Sequence, residues 1–206
     1  MSSRLPHEQK MKQLILESAV KITVEIGYDK LSMRKIADAI GYTPTTIYLY
    51  YKDKEQIVAD ISKEVYKKII NNITIILDEN KNVAFNKQLE LCFKVFIQTI
   101  VDNSEMGKAV FRSGTKTIFA PNLDSDLPEE DGIIRLQKLL LLGQQHSVFR
   151  KLDNHVAWML ISSLIGFSMN VIENRLHINE NWLDLLDIYV DMLISGLLLT
   201  EGVSSL

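Results

Sequence analysis

The stretch SMRKIADAIGYTPTTIYLYYKDKEQIV, residues 32–58, decides the fold predicted for this chain. It begins with Ser32, whose hydroxyl is a typical helix cap, and Gly41 ends that helix because glycine tolerates a positive φ. Thr43 then caps a second short helix, and Pro44 lies at its first position, where a missing N–H group costs nothing. Two short helices separated by a glycine-containing break are typical of a helix-turn-helix.

Side chains on the second short helix divide into an inward and an outward set. Ile47 and Tyr51 are four residues apart and can join Ile36 and Ile40 in a small core. The outward set comprises Thr45, Thr46, Leu49 and Tyr50, with Tyr48 at its edge. Hydroxyls and phenols donate to phosphate oxygens and meet base edges in the major groove of DNA. A capped surface helix that is merely rich in tyrosine is the alternative interpretation.

Helical segments account for most of the remaining chain. Glycine-poor stretches rich in Leu, Ile, Lys, Glu and Asn favour helices, and no run alternates strictly between apolar and polar residues as a half-buried strand would. We expect helices near residues 6–26, 33–40, 44–50, 54–77, 83–101, 106–119, 132–142, 155–176 and 182–199, with the sixth interrupted or ended near Gly114. Gly143 is expected to end the seventh helix, and the proline-containing segment 120–132 predicts a loop. The predicted fold class is all-α, with about nine helices.

The charge distribution favours a nucleic-acid partner only weakly. The chain has a net charge of −3, but residues 1–55 hold nine Lys and Arg against seven Asp and Glu. The basic surplus therefore lies in the helix-turn-helix part, which is the direction that binding to a polyanion requires.

The sequence also predicts a cytoplasmic protein without a membrane partner. The first residues, MSSRLPHEQKMKQ, lack an apolar core of signal-peptide length and lead directly into an amphipathic helix. The most apolar stretch, residues 157–171, carries polar residues and is shorter than a membrane span. Cys92 is the only cysteine, so no internal disulfide framework can form, and we expect it to be a buried thiol.

The run ILESAVKITVEIGYDKLSMRKIADAIGYTPTTIYLYYKDKEQIV, residues 15–58, resembles the N-terminal domain of the TetR (tetracycline repressor) family of bacterial transcriptional regulators. The positions that carry the resemblance are Gly27, Tyr28, Ser32, Arg34, Ile36, Ala37, Gly41, Thr46, Ile47, Tyr48, Tyr50, Tyr51, Lys54 and Glu55. Three positions depart from the family pattern: Leu31 replaces a frequent Thr, Tyr42 a Val, and Tyr51 a Phe.

The resemblance implies roles for individual residues on double-stranded operator DNA. The residues implied to touch the DNA backbone are Ser32, Arg34, Tyr48, Tyr50 and Lys54, and those implied to line the recognition helix are Thr43, Thr45 and Thr46. Lys54 would meet a phosphate with help from the N-terminal end of the following helix. Residues that read bases vary within the family, and we predict Tyr42, Thr45 and Leu49 for this role.

The resemblance also implies two domains, a helix-turn-helix domain at residues 1–53 and an effector-binding and dimerisation domain at residues 54–206. The segment GQQHSVFRKLDNHVAWMLISSLIGF, residues 143–167, is similar to a common family element, although this match is looser. Candidates to line an effector pocket between the fifth and eighth helices are Phe93, Phe96, Met106, Phe111, Phe119, Trp158 and Met159. Candidates for a homodimer interface on the last two helices are Ile161, Ile165, Met169, Leu186, Tyr189, Val190, Leu193 and Leu197. Packing in the core of one subunit is the alternative for every residue in both sets.

These expectations combine into a repressor that leaves its operator when a small apolar or aromatic ligand binds. One alternative is a helical DNA-binding regulator that lacks a small-molecule effector or acts as an activator. Another is a helical enzyme of ferritin-like type, which the missing Glu-x-x-His pairs disfavour. His7, His146, His155 and His177 are scattered, and no HExxH motif or cysteine pair occurs, so we expect neither a metal site nor a cofactor.

Overall fold

The computed structural model describes residues 4–112, 132–153, 155–179 and 181–199. Over these residues the prediction of an all-α fold with nine helices is confirmed. The helices are α1 (Arg4–Ile26), α2 (Met33–Ile40), α3 (Pro44–Tyr48), α4 (Lys54–Glu79), α5 (Phe85–Asp102), α6 (Ser104–Arg112), α7 (Gly132–Gln145), α8 (Val156–Glu173) and α9 (Trp182–Ser195). Two single 3₁₀ turns, Tyr28–Lys30 and Leu176–Ile178, precede α2 and α9. The loop predicted at 120–132 lies outside the described residues, apart from Gly132 itself.

The chain forms two compact units, and the first contains the described residues 4–67 and 103–112. Its core joins one face of α1 to the inward faces of α2 and α3, and α6 packs on α1. Ile15, Ile36 and Ile47 are fully buried at its centre. Because α1, α2 and α3 each contribute one of these side chains, the short helices α2 and α3 depend on tertiary packing rather than on their own helix propensity.

The second unit contains the described residues 68–102, 132–153, 155–179 and 181–199. Helix α5 is its centre and packs against α7, α8 and α9. The buried side chains Leu89, Ile97, Leu164, Ile172 and Leu186 come from three of these helices and form the middle of the core.

Helix α8 is strongly apolar along its whole length. Its 18 residues have a mean hydropathy of 1.5, so by length and composition alone it is the one helix in the described part of the chain that could cross a membrane. The sequence itself predicts a stretch, residues 157–171, that is too short for a membrane span. A core helix of a folded domain passes the same test, and 44% of α8 is buried against its neighbours.

The predicted end of α7 at Gly143 is wrong, since the helix continues to Gln145. The residue that terminates it is Ser147, which has a φ of 56°. Beyond it the N–H of Val148 donates to the carbonyl of Gly143 at 2.9 Å, and the N–H of Ser147 donates to that of Gln144 at 3.0 Å. This pair of bonds is a Schellman motif, which satisfies the last helical carbonyls.

Gly143 does not form the turn. Its lack of a side chain allows the Phe149 ring to pack directly against the helix backbone. A Cβ atom at this position would lie 2.1 Å from Cδ2 of Phe149, whose ring is 2% exposed. The segment after α7 then pairs with the segment after α9, where Phe149 and Leu198 form an isolated antiparallel bridge. The guanidinium Nε of Arg150 also donates to the carbonyl of Gly196 at 2.9 Å. Helix α9 ends at Ser195, before the predicted Leu199, because Gly196 and Leu197 form a turn and Leu198 then bridges to Phe149.

Candidate nucleic-acid interface

Helix α2 begins and ends as its sequence predicts. The Oγ atom of Ser32 accepts a hydrogen bond from the N–H of Lys35 at 3.3 Å, which satisfies one donor of the first turn. Gly41 adopts the left-handed region with φ 73°, and the N–H of Tyr42 donates to the carbonyl of Ala37 at 2.9 Å. A glycine is needed here because other residues are strained at this φ.

Helix α3 has only five residues and is held by its cap and its buried face. The Oγ1 atom of Thr43 accepts from the N–H of Thr46 at 3.3 Å, and the two threonine hydroxyls lie 3.0 Å apart. Ile47 is fully buried, and Tyr51, just beyond the helix, is 2% exposed. The Tyr51 hydroxyl donates to Oδ2 of Asp60 on α4 at 3.2 Å. Burial, reinforced by the nearby Asp60 carboxylate, raises the pKa of this phenol.

Outward residues of the turn and α3 remain uncovered in the protomer. Leu49 is 77% exposed, Tyr48 56% and Tyr42 43%. Thr45 is also exposed, whereas Thr46 and Tyr50 are half-buried. An exposed leucine flanked by tyrosines on a surface helix has no role in the core, which favours a contact surface. The structure therefore brings together Tyr42, Thr45, Tyr48 and Leu49, four of the residues predicted to bind DNA.

Two of the residues predicted to bind DNA are cations, one on α2 and one on α4. Arg34 projects from α2 with an 84% exposed side chain, and its Nε lies 3.9 Å from Oδ2 of Asp38, which is also exposed. Lys54 is the first residue of α4 and is half-buried. Its ammonium lies 4.4 Å from the centroid of the Tyr28 ring. The distance between Arg34 and Asp38 is near the upper limit for an ion pair, and both side chains are solvated. The Arg34 guanidinium therefore remains available to another anion.

The start of α4 is stabilised by two side-chain-to-backbone hydrogen bonds. Oδ1 of Asp53 accepts from the N–H of Gln56 at 2.8 Å, and Oε1 of Gln56 accepts from the N–H of Lys52 at 2.8 Å. This arrangement resembles a capping box and stabilises the first turn of α4, which contains Lys54.

Sequence reasoning missed two residues at this surface, Tyr28 beside Lys54 and Asp38 beside Arg34. The i, i+4 spacing of Arg34 and Asp38 would have revealed the second pair. The first pair joins residues 26 positions apart, and only the Gly-Tyr element of the family pattern pointed to Tyr28.

Residues 15–61, which contain α2, α3 and the start of α4, match the profile described as bacterial regulatory proteins, tetR family. The N-terminal part of the chain is thus similar to the tetR family of regulatory proteins. A fatty acid metabolism regulator protein of Bacillus subtilis is 37% identical over 59 residues, which are 29% of this chain and 30% of that protein. The match to this relative thus spans less than a third of its length.

Solved structures show the same fold over nearly the whole chain. The fatty acid degradation regulator FadR from Bacillus halodurans is 18% identical with a TM-score of 0.65, covering 92% of this chain and 95% of that one. A TetR-family transcriptional regulator from Haemophilus influenzae is 16% identical with a TM-score of 0.62, covering 94% and 99%. At these identities the similarity shows the tetR-family fold and not a shared ligand. The family consists of regulatory proteins, which supports a regulator over the ferritin-like enzyme considered from the sequence.

The residues predicted for an effector pocket lie in different places. Phe93 and Phe96 are buried in the second unit, and Met106 is buried in the core of the first. Trp158 and Met159 are 48% and 66% exposed on α8. The Phe111 side chain and Phe119 lie outside the described residues.

Two grooves occur in the second unit instead. One, of about 280 Å³, lies between α4 and α5 and is lined by Asn72, Ile75, Ile76, Val95, Gln98, Thr99 and Asp102. The other, of about 380 Å³, lies between α7 and α8 and is lined by Ile134, Gln137, Lys138, Leu140, Leu141, Gln144, Leu152, Asp153 and Ala157. Neither groove contains a residue predicted from the sequence, and both mix apolar with polar side chains.

The predicted dimer-interface residues divide by exposure. Five are buried within the protomer and belong to its core, which is the alternative that the sequence left open: Ile161, Met169, Leu186, Val190 and Leu197. Ile165, Tyr189 and Leu193 are half-buried. Tyr189 stacks on Phe167 with ring centroids 3.9 Å apart, and its hydroxyl lies 2.5 Å from that of Ser163.

The outer faces of α8 and α9 carry a different apolar set: Trp158, Met159, Leu183, Leu185, Ile188 and Met192. On α9, Leu185, Ile188 and Met192 follow one another at spacings of three and four, so they form one exposed stripe. Ile188 and Met192 are 68% and 61% exposed.

Metal chemistry has no support in the described part of the chain, where no group of three or more His, Cys, Asp or Glu side chains could hold an ion. His155 is engaged in a hydrogen bond of 2.6 Å with Asp153 before α8. Cys92 is buried, and this burial raises the pKa of its thiol to about 12.

Proposed function

We propose that this chain binds double-stranded operator DNA through α2 and α3 and regulates transcription as a homodimer in the bacterial cytoplasm. The observation that carries the proposal is the exposed set Tyr42, Thr45, Tyr48 and Leu49 on a helix that is itself fixed by a cap and a buried face. A reading helix must hold its backbone still while its outward side chains stay free to meet base edges.

Two kinds of contact follow from this geometry. Ser32, Arg34, Tyr50 and Lys54 surround the reading helix and are suited to phosphates, which position the protein without reading sequence. Tyr42, Thr45 and Leu49 are suited to the major groove, where leucine contacts a thymine methyl and hydroxyls meet base edges. Thr43 and Thr46 are hydrogen-bonded to one another, so we propose that they mainly stabilise the first turn of α3 rather than contact DNA.

The exposed stripe on α9 supports the homodimer. Exposed apolar side chains that follow one helix face are costly in water unless a second surface covers them. A two-fold dimer places the same stripe on both subunits, and its two reading helices can then enter successive major grooves about 34–36 Å apart.

We further propose a repressor that is released by a small molecule with an apolar body. Helix α4 begins with Lys54, in the first unit. Its last turns belong to the second unit and contribute Ile75 and Ile76 to one of the grooves. A ligand shifts the protein away from DNA only if it binds the released state more tightly, typically by about 1–3 kcal/mol. Two proteins of similar sequence or fold are named for fatty acid metabolism, so fatty acids are the first compounds to test.

The proposal is tested by selecting genomic fragments from the source bacterium with the full chain and mapping the bound site by footprinting. A protected site with two-fold symmetry and half-sites one helical turn apart is the expected result. Titration with fatty acids of increasing chain length should then release the fragment. Absence of any selected sequence would refute operator binding.

A regulator without an effector, or an activator, is the alternative. Ligands that bind the second unit but leave operator affinity unchanged would favour the first version. A footprint upstream of the promoter, together with a loss of transcript on deleting the gene, would favour the activator.

A further inference from the structure

We propose that Tyr28 is a positioning residue for DNA binding: its ring holds the ammonium of Lys54 in place for a phosphate. This inference rests on the proposed function. Lys54 Nζ lies 4.4 Å from the ring centroid, well within the ~6 Å range of a cation–π contact.

The Tyr28 ring is a rigid platform. Gly27 precedes it with φ 84°, a conformation that favours glycine. The N–H of Leu31 donates to the carbonyl of Tyr28 at 3.0 Å, and that of Lys30 to Gly27 at 3.2 Å. Tyr28 is only 8% exposed and belongs to the core that also contains Ile36 and Ile47. The ring therefore has little freedom to move away from the ammonium.

A ring suits this position better than a carboxylate would. Lysines further along α4 pair with acids, with Lys63 at 3.0 Å from Asp60 and Lys67 at 2.7 Å from Glu64. Such a partner cancels the positive charge that a phosphate needs. The π-face orders the ammonium but carries no net charge, so the cation stays available to an anion on its other side.

The ring also offsets a local disadvantage. Lys54 occupies the first turn of α4, where the helix dipole disfavours a positive side chain. Without a partner, the flexible lysine would turn into solvent and lose its ordering before DNA arrives. Contact with Tyr28 reduces the entropy that must be lost when the phosphate binds.

The test is a double-mutant cycle on the full chain, with Tyr28→Leu, Lys54→Ala and both together. Binding to a fluorescein-labelled duplex of mixed sequence is measured by anisotropy over a range of salt concentrations, because a phosphate contact acts on all DNA. Tyr28→Phe keeps the ring and is the matched control.

Tyr28→Leu is expected to weaken binding about two- to fivefold when Lys54 is present and to have no further effect in the Lys54→Ala background. Tyr28→Phe should bind as the parent does in both backgrounds. Equal losses from Tyr28→Leu in the two backgrounds would show a purely structural role and overturn the inference, as would no loss at all in a folded variant.

A direct measurement covers the case in which Tyr28→Leu does not fold. The side-chain methylene protons of Lys54 should show upfield ring-current shifts by NMR in the parent and in Tyr28→Phe, and their absence in the parent would refute the contact. If Lys54→Ala binds DNA normally, the inference fails. The proposed function still stands in that event, provided that Leu49→Ala alters operator binding.

Discussion

Phe149 occupies the space in which a side chain on Gly143 would begin. The two residues lie six positions apart, and a Cβ at 143 would be 2.1 Å from Cδ2 and 2.3 Å from Cε2 of the ring. The ring is buried and its backbone is pinned by the bridge to Leu198, so it cannot move aside cheaply. Through Phe149, the last turns of α7 are thus connected to the segment that follows α9.

Gly143→Ala should therefore destabilise the protein, although alanine favours helices. We expect a loss of about 1–3 kcal/mol from overpacking, measured by urea unfolding. Gly166→Ala on α8 is the matched control, because a Cβ there meets nothing within 4 Å. The control should gain about 0.5–1 kcal/mol. A gain of similar size at position 143 would contradict the contact.

Leu49→Ala should alter which operators are preferred and leave the fold intact. The side chain is 77% exposed, so its truncation removes no core contact. Discrimination at one base pair should fall by about 1–3 kcal/mol, measured by competition between operators that differ at single positions. Unchanged preference at every position would exclude Leu49 from base reading. Val24→Ala, at a 59% exposed position on α1, is a control that should leave the preference unaltered.

Asp38→Asn should strengthen binding to all DNA. The carboxylate lies 3.9 Å from the Arg34 guanidinium and repels phosphates brought close to α2. An exposed pair of this kind contributes about 0.2–1 kcal/mol, so we expect a gain of about two- to fivefold by anisotropy on a mixed-sequence duplex. Asp78→Asn, on an exposed residue near the end of α4, makes the same charge change and should have no comparable effect. Weaker binding by Asp38→Asn would refute the role given to this pair.

Ile188→Glu combined with Met192→Glu should release monomers. Both side chains lie on the exposed stripe of α9, and burying two carboxylates in an interface is strongly unfavourable. Sedimentation at micromolar concentration should show a dimer for the parent and a folded monomer for the variant. Val24→Glu, at a 59% exposed position on α1, should remain dimeric. A monomeric parent would contradict the homodimer itself.

Cys92 should react with iodoacetamide only when the protein unfolds. The thiol is buried, and its pKa is raised to about 12, so the reactive thiolate is scarce in the folded state at pH 8. It is the only cysteine, so the extent of labelling can be read directly by mass spectrometry. Labelling should rise with urea in parallel with the loss of helix. Rapid labelling of the native protein would show that the α5 core opens locally.

The free energy of unfolding should also fall as pH rises above about 9, because the Cys92 thiol ionises there in the unfolded state and not in the folded state.

The helix-turn-helix was predictable because its signals are local. Ser32, Gly41, Thr43 and Pro44 each act within a turn of their own position, and the structure has the helix boundaries they indicate. Helix α3 ends at Tyr48 rather than Tyr50, since the chain turns to bury Tyr51 against α4.

The second unit was less predictable because its helices are apolar on more than one face. Hydrophobicity alone does not separate Val190, which is fully buried, from Ile188, which is 68% exposed two residues earlier. The role of Gly143 was hidden for a related reason. A glycine near a helix end usually indicates that the helix terminates there. The close contact of Gly143 depends on the tertiary position of the Phe149 ring, which the local sequence does not indicate.

In and around α3, the residues that stabilise the helix are different from those that are exposed to contact DNA, and this separation affects how such a protein can evolve. Ile47 and the Thr43 cap hold the five-residue helix, while Thr45, Tyr48 and Leu49 contribute little to its stability. Mutations at the outward positions can therefore accumulate without a cost in folding, and each one alters the set of sites that the protein prefers. A duplicated copy of this gene could acquire a new set of target genes in a few substitutions and keep its existing scaffold throughout.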